Sequence, residues 1–382
     1  MTNNNNQRIG FIQSFRGIAA LLVVLYHGSS AISPYGTGTG DLLFGPAGSF
    51  GVTLFFIISG FIMAHTTVGA RVSPQYALEF CVRRMARIWP VLAIASVAFV
   101  LLARVPFGQF TRETVHTLLH TLAFVPAGDS ASPQFGETLP SVSWTLNYEV
   151  YFYLFFAASM LFGWYRWLAL AAWAMATLIA LPLLTVGTWT THSLPAYGFG
   201  PAYVRMATHP LIWEFLAGVA IGLLYNSRFR LPDRFPVGLL MTLSAAMVAW
   251  QYSARFNIGY GVTEWGLTLI PLVAVFALAN KRAELAQPAG LVYLGNISFS
   301  LYLWHPLAQT ITGYPLTWLG YGDRCTGFSF LLLTTIVSVA LAALSYHLLE
   351  LGLSEAVKRW GLARVRRRGQ QLAAEPRGAS PA

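Results

Sequence analysis

Charge is scarce in this sequence. Only 10% of its 382 residues are Asp, Glu, Lys or Arg, against about 25% in a soluble domain, so an ordinary water-soluble fold is excluded. Cysteine is scarcer: Cys81 and Cys325 are the only two. The topology argued below puts one at each membrane face, so neither an intrachain disulfide nor a cysteine-based metal site is expected. Several signatures of soluble chemistry are missing. There is no Walker phosphate loop, no GxGxxG opening a helix, no HExxH and no GxSxG elbow. No small-residue cleavage site follows the first apolar run, so a cleavable signal peptide is not expected. Internal repeats and a second soluble domain are also absent from the pattern.

Apolar length is abundant. The chain is 55% hydrophobic with mean hydropathy +0.56, and apolar stretches of about 20 residues recur throughout. They are continuous rather than alternating, which favours helices over a barrel. The expected fold is an all-α integral membrane protein with spans near 9–28, 49–68, 85–103, 143–163, 167–187, 209–225, 236–253, 263–280, 290–312 and 327–349. Thr114–Val125 is too short to span and carries His116 and His120, so it reads as interfacial or re-entrant.

The formal net charge of +10 fits the positive-inside rule better than a nucleic-acid partner. With ten spans and both termini cytoplasmic, the inner segments hold Arg8, Arg71, Arg83, Arg84, Arg87, Arg166, Arg228, Arg230, Arg234, Lys281 and Arg282. An eleventh span at Thr114–Val125 would turn the basic loops after it outward. The expected organisation is an Asn-rich tail at 1–8, a membrane domain at 9–350 and a basic cytoplasmic tail at 351–382. That tail should lie on anionic lipid and then become disordered.

Five stretches carry polar groups that packing in lipid does not need. In Phe11–His27, Arg16 sits near the start of an apolar helix and His27 at its far end. An arginine inside such a helix costs about 2.5–3.5 kcal/mol on insertion scales, and the two residues are separated by about 16 Å of helix rise. Both predict a polar interior. In Ser49–Met63, Ser59 and Gly60 interrupt an apolar run, either for helix packing or for close approach of a slender ligand. In Cys81–Pro90, Arg83, Arg84 and Arg87 stand where a helix entry is expected. They read either as topology signals or as a clamp for phosphate, whose oxygens suit the guanidinium fork. In Ser141–Tyr153, Trp144, Tyr148 and the other tyrosines could form an aromatic belt, but the carboxylate of Glu149 needs a partner. In Leu294–Pro306, Asn296, Ser298, Ser300 and Tyr302 precede His305 towards the outer end. Gly218 and Gly222 form a GxxxG that reads as helix packing.

Taken together and in order, these stretches resemble the acyltransferase-3 family, integral membrane O-acyltransferases of bacterial surface and exported polysaccharides. FRGIAALLVVLYH, FGVTLFFIISGFIM, RRMARIWP, SWTLNYEVYFY, LGNISFSLYLWHP and LSYHLLE carry the likeness from residue 11 to residue 350. Two details depart from it. Ser14-Phe15 precede Arg16 where aspartate or leucine is usual, and Glu350-Leu351-Gly352 replaces a Glu-Lys-Pro ending, which limits Glu350 to anchoring.

The resemblance implies a multi-pass protein of the bacterial inner membrane. It implies transfer of an acyl group, acetyl above all, from cytoplasmic acyl-CoA (acetyl-CoA) to a hydroxyl of a polysaccharide or lipid-linked glycan, with no metal. Arg83, Arg84 and Arg87 would hold nucleotide phosphates, Arg16 the pyrophosphate or upper pantetheine, and Ser59 and Gly60 would flank the pantetheine arm. His27 would be general base or transient acyl carrier, with Glu149 at the same depth fixing its tautomer. Trp144, Tyr148 and His305 would bind substrate. A polysaccharide or lipid-linked sugar transporter, or a channel component without acyl transfer, is the alternative that a polar interior also fits.

Overall fold

The computed structural model describes residues 9–126, 128, 132–193 and 197–374. The expected tail at 1–8 and the last residues, 375–382, lie outside them. The described residues are helical with no strand. In chain order the helices are α1 Gly10–Gly28, α2 Gly38–Phe44, α3 Ala47–Thr67, α4 Pro74–Phe99, α5 Arg112–Ala123, α6 Trp144–Met160, α7 Arg166–Met175, α8 Leu181–Val186, α9 Ala202–Ala207, α10 Ile212–Asn226, α11 Val237–Ala254, α12 Gly266–Arg282, α13 Ala289–Asn296, α14 Ser298–Trp318, α15 Gly327–Ser345 and α16 Glu355–Ala374.

Among the described residues, seven helical stretches are long and apolar enough to cross a membrane: Gly10–Ala31, Gly38–Thr67, Pro74–Arg104, Gly163–Val186, Ala202–Asn226, Val237–Ala254 and Gly327–Gln371. The other three expected spans correspond to α6 and α12, of 17 residues each, and to α13–α14, broken at Ile297. The interfacial stretch is α5, 12 residues long, started by a capping box at Thr111 and stopped by left-handed Phe124 (φ 56°). At 1.5 Å per residue it covers about 18 Å, too little for a bilayer core.

α1 lies at the centre, packed by α3, α13, α14 and α15, and this is how an apolar helix keeps an arginine away from lipid. Small residues set the closest crossings. A Cβ added to Gly295 would lie 1.9 Å from Gln13 O, which ties α13 to α1. A Cβ at Gly60 would lie 2.0 Å from Phe215 O, and one at Gly218 2.0 Å from Ile57 O. The α3–α10 contact therefore requires glycine on both helices.

Two expectations are corrected. Arg83, Arg84 and Arg87 do not stand at a helix start. Ser73 caps α4 by accepting from Tyr76 N at 3.1 Å, with Pro74 at its first position, so the arginines lie well within the helix. The start signal is Ser-Pro, which an apolar-run criterion overlooks. The tail after Glu350 is also not loose up to residue 374. It continues α15 through a π-helical stretch, Tyr346–Ser354, into α16. α16 returns against α4, where Arg366 binds Glu79 through Nε at 3.1 Å and Nη2 at 3.3 Å, and Gly361 is close to Val82.

Candidate active site

Two cavities meet inside the bundle. The wide one, about 670 Å³, opens at the end of the molecule where α4 begins and α16 packs; its wall includes Gln13, Tyr76, Arg83, Glu350 and Lys358. The narrow one, about 80 Å³, is a slot between α3, α4, α6 and α14, lined by Val52, Phe55, Phe56, Ser59, Thr145, Glu149 and Tyr302 among others. Arg16, Arg84 and Arg87 line both cavities. These three guanidinium groups form the neck between a broad polar chamber and a thin, mostly apolar passage.

Helix geometry explains which arginine does what. Arg84 and Arg87 are three apart on α4 and share a face. Arg84 lies over the rings of Phe80 and Tyr153, 5.4 Å from each centroid. Arg83 and Arg87 share the wide cavity, but Arg83 is already paired with Glu79 at 2.9 Å. Arg16 is 9% exposed and donates to Gln13 Oε1 in a long contact of 3.5 Å. Arg87 makes no ion pair or hydrogen bond among the described residues. The neck thus has more guanidinium than carboxylate, an arrangement that suits an anionic ligand.

Glu149 belongs to this neck. Its Oε1 accepts from Ser59 Oγ at 2.9 Å and from the hydroxyl of Tyr153. The expectation that Glu149 fixes the tautomer of His27 is therefore corrected. The carboxylate faces α3 and α4 and lines the slot with Arg16. Counting residues along a span estimates depth only coarsely and says nothing of which neighbour a side chain meets. Gly60 is likewise corrected as a ligand contact, because it faces α10 at the close crossing described above. Ser59, its neighbour, does line the slot.

The group that meets His27 is His305. Its Nε2 lies 3.3 Å from His27 Nδ1, with ring centroids 5.0 Å apart. His27 Nδ1 is also 2.9 Å from Val23 O. A carbonyl only accepts, so Nδ1 carries the proton and Nε2 of the neutral ring is left as the basic nitrogen. His305 Nδ1 is 3.1 Å from Leu301 O and by the same argument is protonated. The lone pair of its Nε2 therefore receives the His27 N–H. His305 is fully buried. One turn before it, Tyr302 donates to Val142 O at 2.7 Å, and its hydroxyl is 2.9 Å from Thr145 Oγ1. The Tyr302 ring, 6.2 Å from that of His305, stands between the slot and the histidine pair.

Trp144 and Tyr148 are buried at the same end. Trp144 packs edge-on to Tyr260 and Tyr148, at 5.6 and 5.9 Å, and the Tyr148 hydroxyl donates to Pro133 O at 2.9 Å. A Ser–His contact elsewhere, Ser132 Oγ to His209 Nε2 at 2.8 Å, is not a nucleophile–base pair. Leu211 N–H donates to His209 Nδ1 at 3.2 Å, so Nε2 holds the proton and donates. Sequence reasoning missed Tyr153, Glu79 and Lys358. The i,i+4 spacing of Glu149 and Tyr153, and of Glu79 and Arg83, was the available signal.

Comparison with known proteins gives a consistent result. Residues 9–347 match a family model described as an acyltransferase domain. The exopolysaccharide production protein ExoZ of Rhizobium meliloti is 32% identical over 315 residues, covering 79% of this chain and 88% of that protein. The putative peptidoglycan O-acetyltransferase YrhL of Bacillus subtilis is 25% identical over 377 residues, covering 89% of this chain and 54% of that protein. Nodulation protein 10 of Rhizobium leguminosarum bv. viciae is 25% identical, over 82% of this chain and 84% of its own length. No solved structure matches.

Proposed function

Because the chain belongs to the acyltransferase-3 family, and is therefore a membrane O-acyltransferase, we propose that it carries an acetyl group from cytoplasmic acetyl-CoA to a hydroxyl of an exported polysaccharide or lipid-linked glycan. Membership of an enzyme family sets aside the transporter reading. In this proposal the chain crosses the bacterial inner membrane ten times with both termini cytoplasmic, so the wide basic cavity faces the cytoplasm and the histidine pair lies towards the outer face.

The observation that carries the reading is the arginine neck, shared by a chamber of about 670 Å³ and a slot of about 80 Å³. Acyl-CoA is built the same way, with a bulky anionic nucleotide and a thin, mostly uncharged pantetheine arm. Arg16, Arg84 and Arg87 bind its phosphates by charge-assisted hydrogen bonds. The arm enters the slot, and the rise of about 16 Å from Arg16 to His27 is of the right order for its length.

His27 acts through Nε2, the nitrogen left basic by the contact of Nδ1 with Val23 O. It removes the proton of the sugar hydroxyl as the oxygen attacks the thioester carbonyl. The C–S bond then breaks, and the thiolate leaves and takes a proton from the imidazolium as free CoA. His305 is a positioning residue that accepts from Nδ1 and supports the imidazolium that forms. If Nε2 attacks the thioester itself, the same nitrogen carries the acetyl group in transit.

The test uses purified protein in detergent with acetyl-labelled acetyl-CoA, wild type beside His27→Ala. Thioester loss in the wild type alone is expected. Label retained on the wild-type chain marks an acyl-histidine, and loss without retention marks direct transfer. Equal turnover by His27→Ala would overturn the mechanism.

A further inference from the structure

The arginine neck leaves most of the wide cavity unaccounted for, and α16 forms part of its wall. Ser354, Glu355, Lys358 and Leu362, spaced for one helix face, line it. The outward residues Arg359, Arg364, Arg367 and Arg368 are exposed. α16 is fixed in this place by Arg366 on Glu79 and by the close approach of Gly361 to Val82. Glu79 also holds Arg83, so one carboxylate joins α16 to the arginine-bearing helix.

The chamber's charge is strongly one-sided. Arg16, Arg83, Arg84, Arg87 and Lys358 face it, against the carboxylates of Glu350 and Glu355. Glu350 is engaged by Ser300, accepting from its N–H at 3.2 Å and its hydroxyl at 2.6 Å. Lys358 Nζ rests on Glu355 at 2.6 Å, a short contact on one helix from which a flexible ammonium can turn to a ligand. The slot holds about 80 Å³, whereas about 670 Å³ is the size of a small-molecule site. The wide cavity therefore has the room for the bulky ionic end of a donor whose arm fills the slot, and α16 forms part of its wall.

We infer that α16 forms the wall of a subsite for the nucleotide end of the acyl donor, with Lys358 as a phosphate-binding cation. The inference rests on the acyl-CoA reading above. The residues that follow α15 are then part of the donor site and not only a lipid-facing tail.

The test compares Lys358→Ala and Lys358→Arg with wild type, using two donors, acetyl-CoA and S-acetylpantetheine, which lacks the nucleotide. For Lys358→Ala the KM for acetyl-CoA should rise about tenfold, the loss of one charge-assisted phosphate contact. The KM for S-acetylpantetheine and the kcat for both donors should stay within about twofold, and Lys358→Arg should restore most of the acetyl-CoA affinity. Equal rises in KM for both donors, or no rise, in a protein whose wild type uses acetyl-CoA normally would overturn this subsite and leave the donor reading intact. A wild type that transfers from S-acetylpantetheine and gains nothing from the nucleotide would overturn the donor reading itself.

Discussion

His305 Nε2 accepts from His27 Nδ1 at 3.3 Å, across a gap bridged by two helices, α1 and α14, that are far apart in sequence. The contact gives His305 a definite role: it holds one tautomer of His27 and shares its N–H with Val23 O. His27→Ala should lower kcat by about 10²–10⁴, the usual worth of a positioned base. His305→Ala should cost less, about 10–100-fold, as outer partners of a histidine typically do. In both variants the KM for the acyl donor should be unchanged, because neither ring lines the neck. His305→Gln can still accept from Nδ1–H and should recover part of the loss. A donor KM that rises with kcat unchanged would assign His305 to binding instead.

Glu149 gives the opposite expectation. It accepts from Ser59 and Tyr153 beside the arginine neck. Glu149→Gln keeps an acceptor for Ser59 but weakens the tie to Tyr153, whose ring supports Arg84. The donor KM should rise severalfold with kcat within about twofold. Steady-state kinetics over a donor titration separates the two outcomes. A fall in kcat alone would return Glu149 to the role of orienting His27.

The histidine pair and the neck show what could be read from sequence and what could not. Arg16, His27, Ser59 and Glu149 are legible because each is costly or unusual inside an apolar run, and Arg84 and Arg87 because a basic cluster at a helix entry suits either topology or phosphate; these are local properties. Their pairing is not local. Glu149 was assigned to His27 by estimated depth, yet rotation about α6 turns it towards α3 and α4. His305 was visible as a buried histidine, but its partner lies 278 positions away. α16 was misread for a related reason. A basic run looks the same whether it faces solvent or docks, and here docking depends on Glu79 and Gly361, which have no local meaning. Eight of the ten expected spans coincide with single helices or merged helices to within a few residues; α14 runs on to Trp318, past the expected end at 312. The other exception is α4, where an N-terminal cap and not hydropathy sets the start.

Gly60 and Gly218 should matter to stability and not to donor binding. Each faces a backbone carbonyl at a distance no Cβ can occupy, so even alanine must push α3 and α10 apart. Overpacking of this kind typically costs about 1–3 kcal/mol. Gly60→Ala and Gly218→Ala should lower the thermal unfolding midpoint in detergent, while protein that remains folded keeps the wild-type donor KM. A Gly60→Ala protein of normal stability with a raised KM would place Gly60 back in the ligand path.

Glu214 is the last case, a carboxyl with no route to either cavity. It is fully buried on α10, and Oε1 accepts from Thr53 Oγ1 at 3.0 Å and from Gly261 N at 2.5 Å. It thereby links α3, α10 and the segment leading into α12. Glu214→Ala strands two donors, each costing about 1–3 kcal/mol when left unpaired. Glu214→Gln keeps the accepting oxygen in place. The alanine variant should therefore unfold at a clearly lower temperature and express poorly, and the glutamine variant should stay close to wild type in both stability and kcat. If instead Glu214→Gln folds normally but loses transfer activity, the carboxyl takes part in the chemistry, and Oε2, which has no hydrogen-bond partner among the described residues, becomes the atom to examine.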